Sequence, residues 1–325
     1  MTHVHIYVVK ENDPEKLNNV IITAYDELYD RILDGLTKDY AITEKEVTMA
    51  NDTVYTKKAL FLDLDGTLLD DKKQISDTDR AAINRMLQEG HSVIIATGRP
   101  LSSACAQAEK LGLTGEGCYL ISYNGGILYD TAHQTVIYKK TIPFAAVSAV
   151  FNEAVRRGLH IQTYDGEDVV ALPAGNEEFL KYYEKNTGMH YHYIQDLKEL
   201  TDEPVKMLMI DLEHPERLEE MRGWIAAFEG EYLDSFFSSA TYLEIVSKGL
   251  NKGDALRQMA SLIGVPMENT IAAGDAANDL AMIRAAHTGC AMANATEEVK
   301  ASADYITQAD NNHSGVAEII ERFVL

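Results

Sequence analysis

The chain has 325 residues, of which 51 are acidic and 29 are basic, so its formal net charge is −22. Hydrophobic residues make up 46% and charged residues 25% of the sequence, which is typical of a globular protein and excludes a disordered or fibrous chain. The acidic surplus argues against partners that need clustered Lys and Arg, namely nucleic acids and anionic membrane surfaces. The length predicts two domains.

The cysteines and the absence of targeting signals favour the cytoplasm. Cys105, Cys118 and Cys290 are odd in number and widely spaced, so neither a disulfide framework nor a zinc site is predicted. The first residues lack the basic segment, apolar run and small-residue cleavage site of a secretory signal. No apolar stretch reaches the length of about eighteen residues that a membrane span needs. We therefore expect a cytoplasmic protein in a reducing compartment.

Residues 1–57 differ from the rest of the chain. A strand is predicted at 4–9, and Asp13-Pro14 is typical of a helix start. Apolar residues at helical spacing continue as far as Gly35, and a second short helix is predicted at 43–50. No chemical motif lies here. We interpret residues 1–57 as an accessory helical extension through which the chain could form a homo-oligomer.

Residues 58–141 and 247–325 alternate between short apolar runs and helical patterns. The apolar runs predict buried strands of a parallel sheet at 59–63, 92–96, 119–122, 270–273, 289–292 and 305–307. Helical patterns lie between them at 76–89, 101–111, 252–263, 276–286 and 314–323. This alternation predicts an α/β fold with a doubly wound, Rossmann-like parallel sheet.

Residues 142–246 interrupt that alternation. Helices are predicted at 144–157, 176–186 and 215–228, and strands at 160–164, 169–172, 206–212, 232–237 and 242–246. This order favours an inserted α+β module with a mostly antiparallel sheet. The turn at Asp165-Gly166-Glu167 joins two of its strands, and we expect it to be a loop that reaches the site described next.

The first chemical motif follows the first predicted strand of the α/β part. Asp63 and Asp65 are two residues apart, so in an extended chain their carboxylates project to the same side. The carboxyl edge of a parallel sheet is where such folds bind ligands. Two carboxylates there repel each other unless a cation lies between them. Gly66 permits a sharp turn out of the strand, and Thr67 can hydrogen-bond back to fix the loop.

Three further strand ends carry polar groups. Thr97-Gly98 offers a hydroxyl and backbone N–H groups to an anion, and Lys252 opens a helix after the N-cap Asn251. The segment from Asp275 to Asp279, which includes Asn278, places two carboxylates four residues apart at a helix start. Acid, hydroxyl, cation and acid can therefore converge on one sheet edge. His190 and His192 lie on another predicted strand, and without a third ligand we interpret them as surface residues instead of a metal site.

The ordered motifs resemble those of a known family. DLDGTLL, ATGRP, the Lys252-Gly253 pair and GDAANDLAM match the four motifs of the haloacid dehalogenase (HAD) superfamily. The chain is more narrowly similar to the Cof-type phosphatases, whose α+β cap is inserted after the third core strand. The resemblance covers about 59–325 and leaves the first 57 residues unexplained. It implies a HAD-like core at 58–141 and 247–325 and a substrate-selecting cap at 142–246.

The resemblance also implies a mechanism and a cofactor. Asp63 would attack a phosphate monoester and form an aspartyl-phosphate, and Asp65 would serve as the general acid and base. The implied metal is Mg²⁺, bound by Asp63, the Asp65 backbone carbonyl and Asp275, with Asp279 orienting a bound water or Lys252. The implied groups that hold the phosphoryl oxygens are Thr97, Gly98, Lys252 and Asn278.

The resemblance leaves three functions open. The first is a magnesium-dependent phosphatase acting on small phosphorylated metabolites, with sugar phosphates the first expectation. A dehalogenase is disfavoured because dehalogenases of the family lack the second aspartate, which here is Asp65. The second is a phosphomutase or phosphotransferase that passes the phosphoryl group to a sugar hydroxyl. The third is a non-catalytic regulator that binds phosphorylated metabolites.

Overall fold

A computed structural model of the protein describes residues 57–166 and 168–325. The strand and helices predicted within residues 1–57 lie outside the described residues, and so does Glu167 of the predicted cap loop. The described residues contain no helix that is long and apolar enough to cross a bilayer.

The described residues form fourteen strands. In chain order they are β1 Ala59–Leu62, β2 Ser92–Ala96, β3 Cys118–Ser122, β4 Ile127–Asp130, β5 Thr135–Lys139, β6 His160–Asp165, β7 Asp168–Ala171, β8 Tyr191–Tyr193, β9 Lys206–Ile210, β10 Leu233–Ser239, β11 Tyr242–Ser247, β12 Thr270–Gly274, β13 Thr288–Ala291 and β14 Tyr305–Ile306.

Nine α-helices connect these strands. They are α1 Asp77–Gln88, α2 Leu101–Leu111, α3 Phe144–Arg156, α4 Glu177–Thr187, α5 Glu216–Phe228, α6 Lys252–Leu262, α7 Leu280–Ala285, α8 Glu297–Lys300 and α9 Gly315–Ile319 within the described ranges. Short 3₁₀ turns lie at Tyr123–Gly125, Leu197–Glu199, Met267–Asn269 and Ala277–Asp279, and a π-helical turn lies at Ile320–Val324.

The first sheet has eight strands in the order β14-β13-β12-β1-β2-β3-β4-β5. Strands β14, β13, β12, β1, β2 and β3 run parallel to one another. Every residue of β1 is buried, because helices cover both faces of the sheet. Leu60 and Leu62 pack with α1, α2 and α9 on one face, and Phe61 packs with α6 and α7 on the other. The burial of both faces is the reason why these strands are apolar throughout.

A hairpin that the sequence patterns did not predict extends this sheet. Strand β4 pairs antiparallel with β3 and with β5. The connecting residues 131–134 contain no glycine or Asn-Gly pair, the usual signals of a tight hairpin. Instead Gln134 adopts a left-handed conformation with φ 51°. Strand β5 is also partly exposed, so its pattern lacks a buried run.

The second sheet lies between β5 and α6 in the chain and has the order β10-β11-β9-β6-β7-β8. All its pairs are antiparallel except β7–β8. One face packs on α3 and α5 through Ile161, Met207 and Met209. The other face contributes Tyr164 and Leu208 to a cluster with α4 and with Tyr123. The predicted fold class, an α/β core with an inserted α+β module, is confirmed; the domain boundaries at 141/142 and 246/247 stay a prediction.

Candidate active site

The centre of the site is Asp63, which follows β1 directly. Its Oδ1 lies 2.5 Å from Nζ of Lys252, and the same Nζ lies 2.6 Å from Oδ1 of Asp279. Lys252 and Asp279 are fully buried and Asp63 is 7% exposed. Lys252 is the first residue of α6, whose N-cap Asn251 accepts hydrogen bonds from the N–H groups of Gly253 and Asp254. This N-cap thus fixes the position from which the Lys252 side chain enters the core.

The 3₁₀ turn after β12 holds Asp279 against this lysine. Oδ2 of Asp279 accepts hydrogen bonds of 3.1 Å from the backbone N–H groups of Asp275 and Ala276. A Cβ on Gly274 would lie 2.3 Å from Cβ of Asp279, so glycine is required for the turn to fold back on the strand. Asp279 was expected to orient a metal-bound water or Lys252, and this role stays a prediction; in the structure one of its oxygens binds the Lys252 ammonium and the other binds the turn.

Burial and charge shift the pKa values of these groups. Burial, together with the nearby Asp279 carboxylate and against the attraction of Lys252, raises the pKa of Asp63 to about 7. Burial also raises the pKa of Asp275 to about 6, with Asp279 adding to the effect. Burial by itself would lower the pKa of Lys252, but the Asp63 and Asp279 carboxylates outweigh it and raise that pKa. The lysine is therefore a permanent cation, and excess negative charge remains around it.

That excess charge suits a metal ion. Oxygen atoms of Asp63, Asp275 and Asp279 all lie within 4.8 Å of one another. Within the described ranges, this is the single cluster of three or more His, Cys, Asp or Glu residues with such geometry. The donors are all oxygen, which hard divalent cations such as Mg²⁺ prefer. The residues present therefore fit a metal of that class.

The loop after Asp65 closes over Asp275. Gly66 has φ +89°, and a Cβ there would lie 2.5 Å from Oδ2 of Asp275. Thr67, which is 1% exposed, donates a 3.2 Å hydrogen bond from Oγ1 to Oδ1 of Asp275. Asn294 donates from Nδ2 to the carbonyl of Gly66 at 2.8 Å. Thr67 was expected to fix its own loop, but its hydroxyl instead positions a carboxylate from another strand.

Asp65 points to two cations that the sequence reasoning did not assign. Nη2 of Arg99 lies 2.8 Å from Oδ2 of Asp65, and Nζ of Lys73 lies 2.6 Å from Oδ1. Burial opposes ionisation, but the hydrogen bonds from Lys73 and Arg99 dominate and hold the pKa of Asp65 below its usual range. Arg99 belongs to the ATGRP motif, so the motif could have identified it as a site residue. No sequence pattern identifies Lys73, because its contact with Asp65 depends on a left-handed backbone conformation with φ 60°.

Thr97 and Gly98 follow β2, the strand next to β1. Thr97 is 3% exposed, and its hydroxyl accepts a 3.3 Å hydrogen bond from the N–H of Arg99. The carbonyl of Thr97 accepts from the N–H of Asn124 at 3.0 Å. A Cβ on Gly98 would come within 3.1 Å of the Asn124 amide. The loop after β3 therefore buttresses the loop after β2, and both lie at the same edge as Asp63.

In the described part of the chain, no hydrogen bond links the remaining predicted residues to the groups around Asp63. Asn278 lies in the 3₁₀ turn beside Asp279, but its side chain is exposed and forms no hydrogen bond to other described residues. Asp165 is held inside the second sheet's module by the backbone N–H of Thr201 at 3.0 Å. His190 bonds to Glu184 at 3.0 Å, and neither His190 nor His192 belongs to a potential metal cluster among the described residues.

The fold and the site together define a class of protein. A doubly wound α/β sheet carries carboxylates and a buried lysine at its carboxyl edge, and an α+β module is inserted beside that edge. The sequence of residues 60–320 matches the haloacid dehalogenase-like hydrolase family. The chain belongs to that family.

Relatives and solved structures agree with this assignment. The 5-amino-6-(5-phospho-D-ribitylamino)uracil phosphatase YcsE of Bacillus subtilis is 32% identical over 82% of this chain and 96% of its own length. A haloacid dehalogenase-like hydrolase from Bacteroides thetaiotaomicron has a TM-score of 0.74 at 32% identity, covering 82% of this chain and 99% of that one. The sugar phosphatase BT4131 has a TM-score of 0.67 at 25% identity, with 82% and 99% covered. The protein is an enzyme, a hydrolase that acts on phosphate esters.

Proposed function

We propose that the protein is a magnesium-dependent phosphatase that hydrolyses small phosphorylated metabolites through an aspartyl-phosphate. The observation that carries the proposal is the buried Lys252 ammonium, which lies 2.5 Å from Asp63 and 2.6 Å from Asp279. It offsets the charge of one of the three carboxylates of Asp63, Asp275 and Asp279, so two negative charges are in excess when all three are ionised. Such a site suits an anionic substrate only when further positive charge enters with it.

The proposed chemistry divides one displacement into two. An oxygen of Asp63 forms a bond to phosphorus while the bond to the leaving oxygen breaks, and Asp65 protonates that oxygen. Asp65 then takes a proton from the water that attacks the aspartyl-phosphate, which releases phosphate and restores Asp63. For either proton transfer, the Asp65 carboxylate must exchange its contacts with Arg99 and Lys73 for the reacting oxygen.

Other residues of this chain hold the phosphoryl group and the cofactor. Lys252, the Thr97 hydroxyl, the Gly98 N–H and Asn278 would bind its oxygens as charge shifts among them. Mg²⁺ would be held by Asp63, the Asp65 carbonyl and Asp275, with Asp279 orienting a water or Lys252. When bound, it supplies positive charge that lets an anionic nucleophile approach an anionic ester.

Sugar phosphates are the proposed substrates. The relative YcsE is named for a phosphorylated ribityl compound, and BT4131 is described as a sugar phosphatase. We assign residues 142–246 the role of a cap that covers the leaving group and excludes water. We further propose that the enzyme acts in the cytoplasm on small molecules, not on nucleic acids or membranes. Residues 1–57 are proposed to mediate homo-oligomer formation.

Phosphate release from a panel of metabolite phosphates, with Mg²⁺ and with EDTA, tests the proposal. We expect release that requires Mg²⁺ and is lost in Asp63→Asn. Asp71→Asn removes the same charge from an exposed neighbour and should retain activity. Hydrolysis that persists in Asp63→Asn would refute the aspartyl-phosphate, and product analysis with sugar acceptors present separates hydrolysis from phosphoryl transfer.

A further inference from the structure

A cleft of about 430 Å³ lies between the core and the inserted module. One wall is formed by α2 and the residues before it, and the other by Asp168 and the segment that ends α4. Arg99 lies in this cleft and contacts the Asp65 carboxylate, so the cleft opens directly beside the proposed catalytic acid. On the α2 side its lining includes Arg99, Ser102, Ser103, Gln107 and Lys110.

The α2 wall presents polar groups with unused hydrogen-bonding capacity. Ser103, Gln107 and Lys110 are four and three residues apart, so they lie on one face of the helix. Gln107 is 8% exposed as a whole residue, and its amide forms no hydrogen bond to another described residue, nor do the hydroxyls of Ser102 and Ser103. None of these polar atoms is among the buried, unpartnered atoms of the described residues, so they are open to water in the cleft. A ligand bound there would replace that water as their hydrogen-bond partner.

On the opposite wall of the cleft, the polar side chains have hydrogen-bond or ion-pair partners. The hydroxyl of Thr187 donates to the carbonyl of Tyr183 at 2.8 Å. His190 pairs with Glu184 at 3.0 Å, and Asp168 lies 3.5 Å from His192. The polar groups of this wall are therefore paired within their own module. Unused capacity is concentrated on α2.

The α2 wall also carries positive charge at both ends. Arg99 precedes the helix, and Lys110 lies near its end, about 14 Å along the axis from Leu101 at 1.5 Å per residue. Across 57–166 and 168–325, no carboxylate forms an ion pair with Lys110. An unpaired cation that lines a cleft is notable in a chain with a net charge of −22, because acidic partners are abundant. It favours an anionic ligand group at the end of the cleft that is distant from Asp65.

We propose that Ser102, Ser103, Gln107 and Lys110 form the surface that selects the leaving group. The substrate class is a phosphate monoester whose leaving group is hydroxylated and carries a second anionic group. The hydroxyls would bind the serines and Gln107, and the second anion would bind Lys110. This inference rests on the proposed phosphatase activity. No Phe, Tyr or Trp ring lines this cleft in the described part of the chain, so the large apolar rings that favour stacking of a nucleobase are lacking there.

Two substitutions on α2 test the proposal against a matched control. Lys110→Gln removes the distal charge and Gln107→Leu removes the amide, whereas Lys198→Gln removes the same charge from an exposed position outside the cleft. The substrates are fructose 1,6-bisphosphate and fructose 6-phosphate, which differ by one phosphate. We expect Lys110→Gln to lower the ratio of their kcat/KM values about tenfold, the effect of losing one charge-assisted hydrogen bond. Gln107→Leu should raise KM for both sugars, and Lys198→Gln should change neither.

Binding provides a readout that does not depend on turnover. In the Asp63→Asn background, calorimetry should show fructose 1,6-bisphosphate binding about tenfold more weakly when Lys110→Gln is added. Unchanged ratios and unchanged binding in both α2 variants, with thermal unfolding as in the parent, would overturn the proposal. Hydrolysis of p-nitrophenyl phosphate, and its loss in Asp63→Asn, tests the phosphatase activity separately.

Discussion

Lys252 Nζ lies 2.5 Å from Oδ1 of Asp63, although 189 residues separate the two in the chain. The intervening chain contains the whole second sheet, yet α6 returns the lysine to the edge of β1. Asp279 contacts the same ammonium at 2.6 Å. One buried cation thus serves two buried carboxylates, and the site is stable only while that cation is present.

Lys252→Met should therefore destabilise the protein as well as abolish activity. It leaves Asp63 and Asp279 buried without a counter-ion, a change that costs about 3–5 kcal/mol when one partner of a buried pair is removed. Urea denaturation in EDTA measures the free energy of unfolding. Adding Asp279→Asn should restore part of the lost free energy of unfolding, because it removes one of the two unpaired buried charges. Lys198→Met, at an exposed position, is the control. Equal stability of Lys252→Met and the parent would contradict the ion-pair assignment.

Gly66→Ala should abolish activity for a reason distinct from backbone strain. Its φ is +89°, and its Cβ would lie 2.5 Å from Oδ2 of Asp275, so the carboxylate must move. Gly249 is the matched control, since its φ is +71° but nothing lies within 4 Å of an added Cβ. Both alanines carry the cost of a left-handed residue, roughly 1–2 kcal/mol. Only Gly66→Ala should lose turnover, and similar turnover in both variants would contradict the role of this close approach.

Asp275→Asn should remove the stabilisation that Mg²⁺ gives to the parent protein. A ligand that binds only the folded state adds about 2.7 kcal/mol at a concentration of 100 Kd. Thermal unfolding with and without Mg²⁺ measures this shift. Thr67→Val removes only the hydrogen bond to Asp275 and should reduce the shift without abolishing it. A full shift in Asp275→Asn would show that the metal is held elsewhere.

His160 should make the inserted module sensitive to acid. Burial lowers its pKa from the ordinary 6.5, and its Nδ1 accepts a 3.0 Å hydrogen bond from the N–H of Asn176, the N-cap of α4. A proton on Nδ1 would replace that acceptor with a donor. The unfolded chain takes up this proton near pH 6.5 and the folded chain only at lower pH. Stability is therefore fully present above pH 6.5 and falls as the pH drops below it, by at most about 1.4 kcal/mol per unit.

Urea denaturation at pH 7.5 and pH 5.5 measures this effect. The parent should lose more stability on acidification than His160→Gln, which cannot titrate. His214→Gln, at an exposed position, is the control and should behave as the parent does. Identical losses in the parent and His160→Gln would show that another group governs the acid response.

The sequence determined which residues end the strands of the core. Apolar runs such as 92–96 coincide with the observed β2, because a strand buried on both faces must be apolar along its whole length. Since parallel strands bring their carboxyl ends to one edge, the order of the motifs was enough to place Asp63, Thr97 and Asp275 together. The identity of the class followed from that order.

Tertiary structure decided what the polar side chains do at that edge. Nothing local distinguishes Lys73 as a partner of Asp65, and the ATGRP motif contains Arg99 without indicating which carboxylate it binds. Long cationic side chains pair with the acidic groups that lie within reach after folding. The hairpin β4–β5 was missed because its turn depends on Gln134 in a left-handed conformation and not on glycine. The unused polar face of α2 is visible only once the inserted module forms the opposite wall of the cleft. Periodicity and residue type determine strands, helices and their ends, whereas the pairing of groups distant in the chain is set by packing.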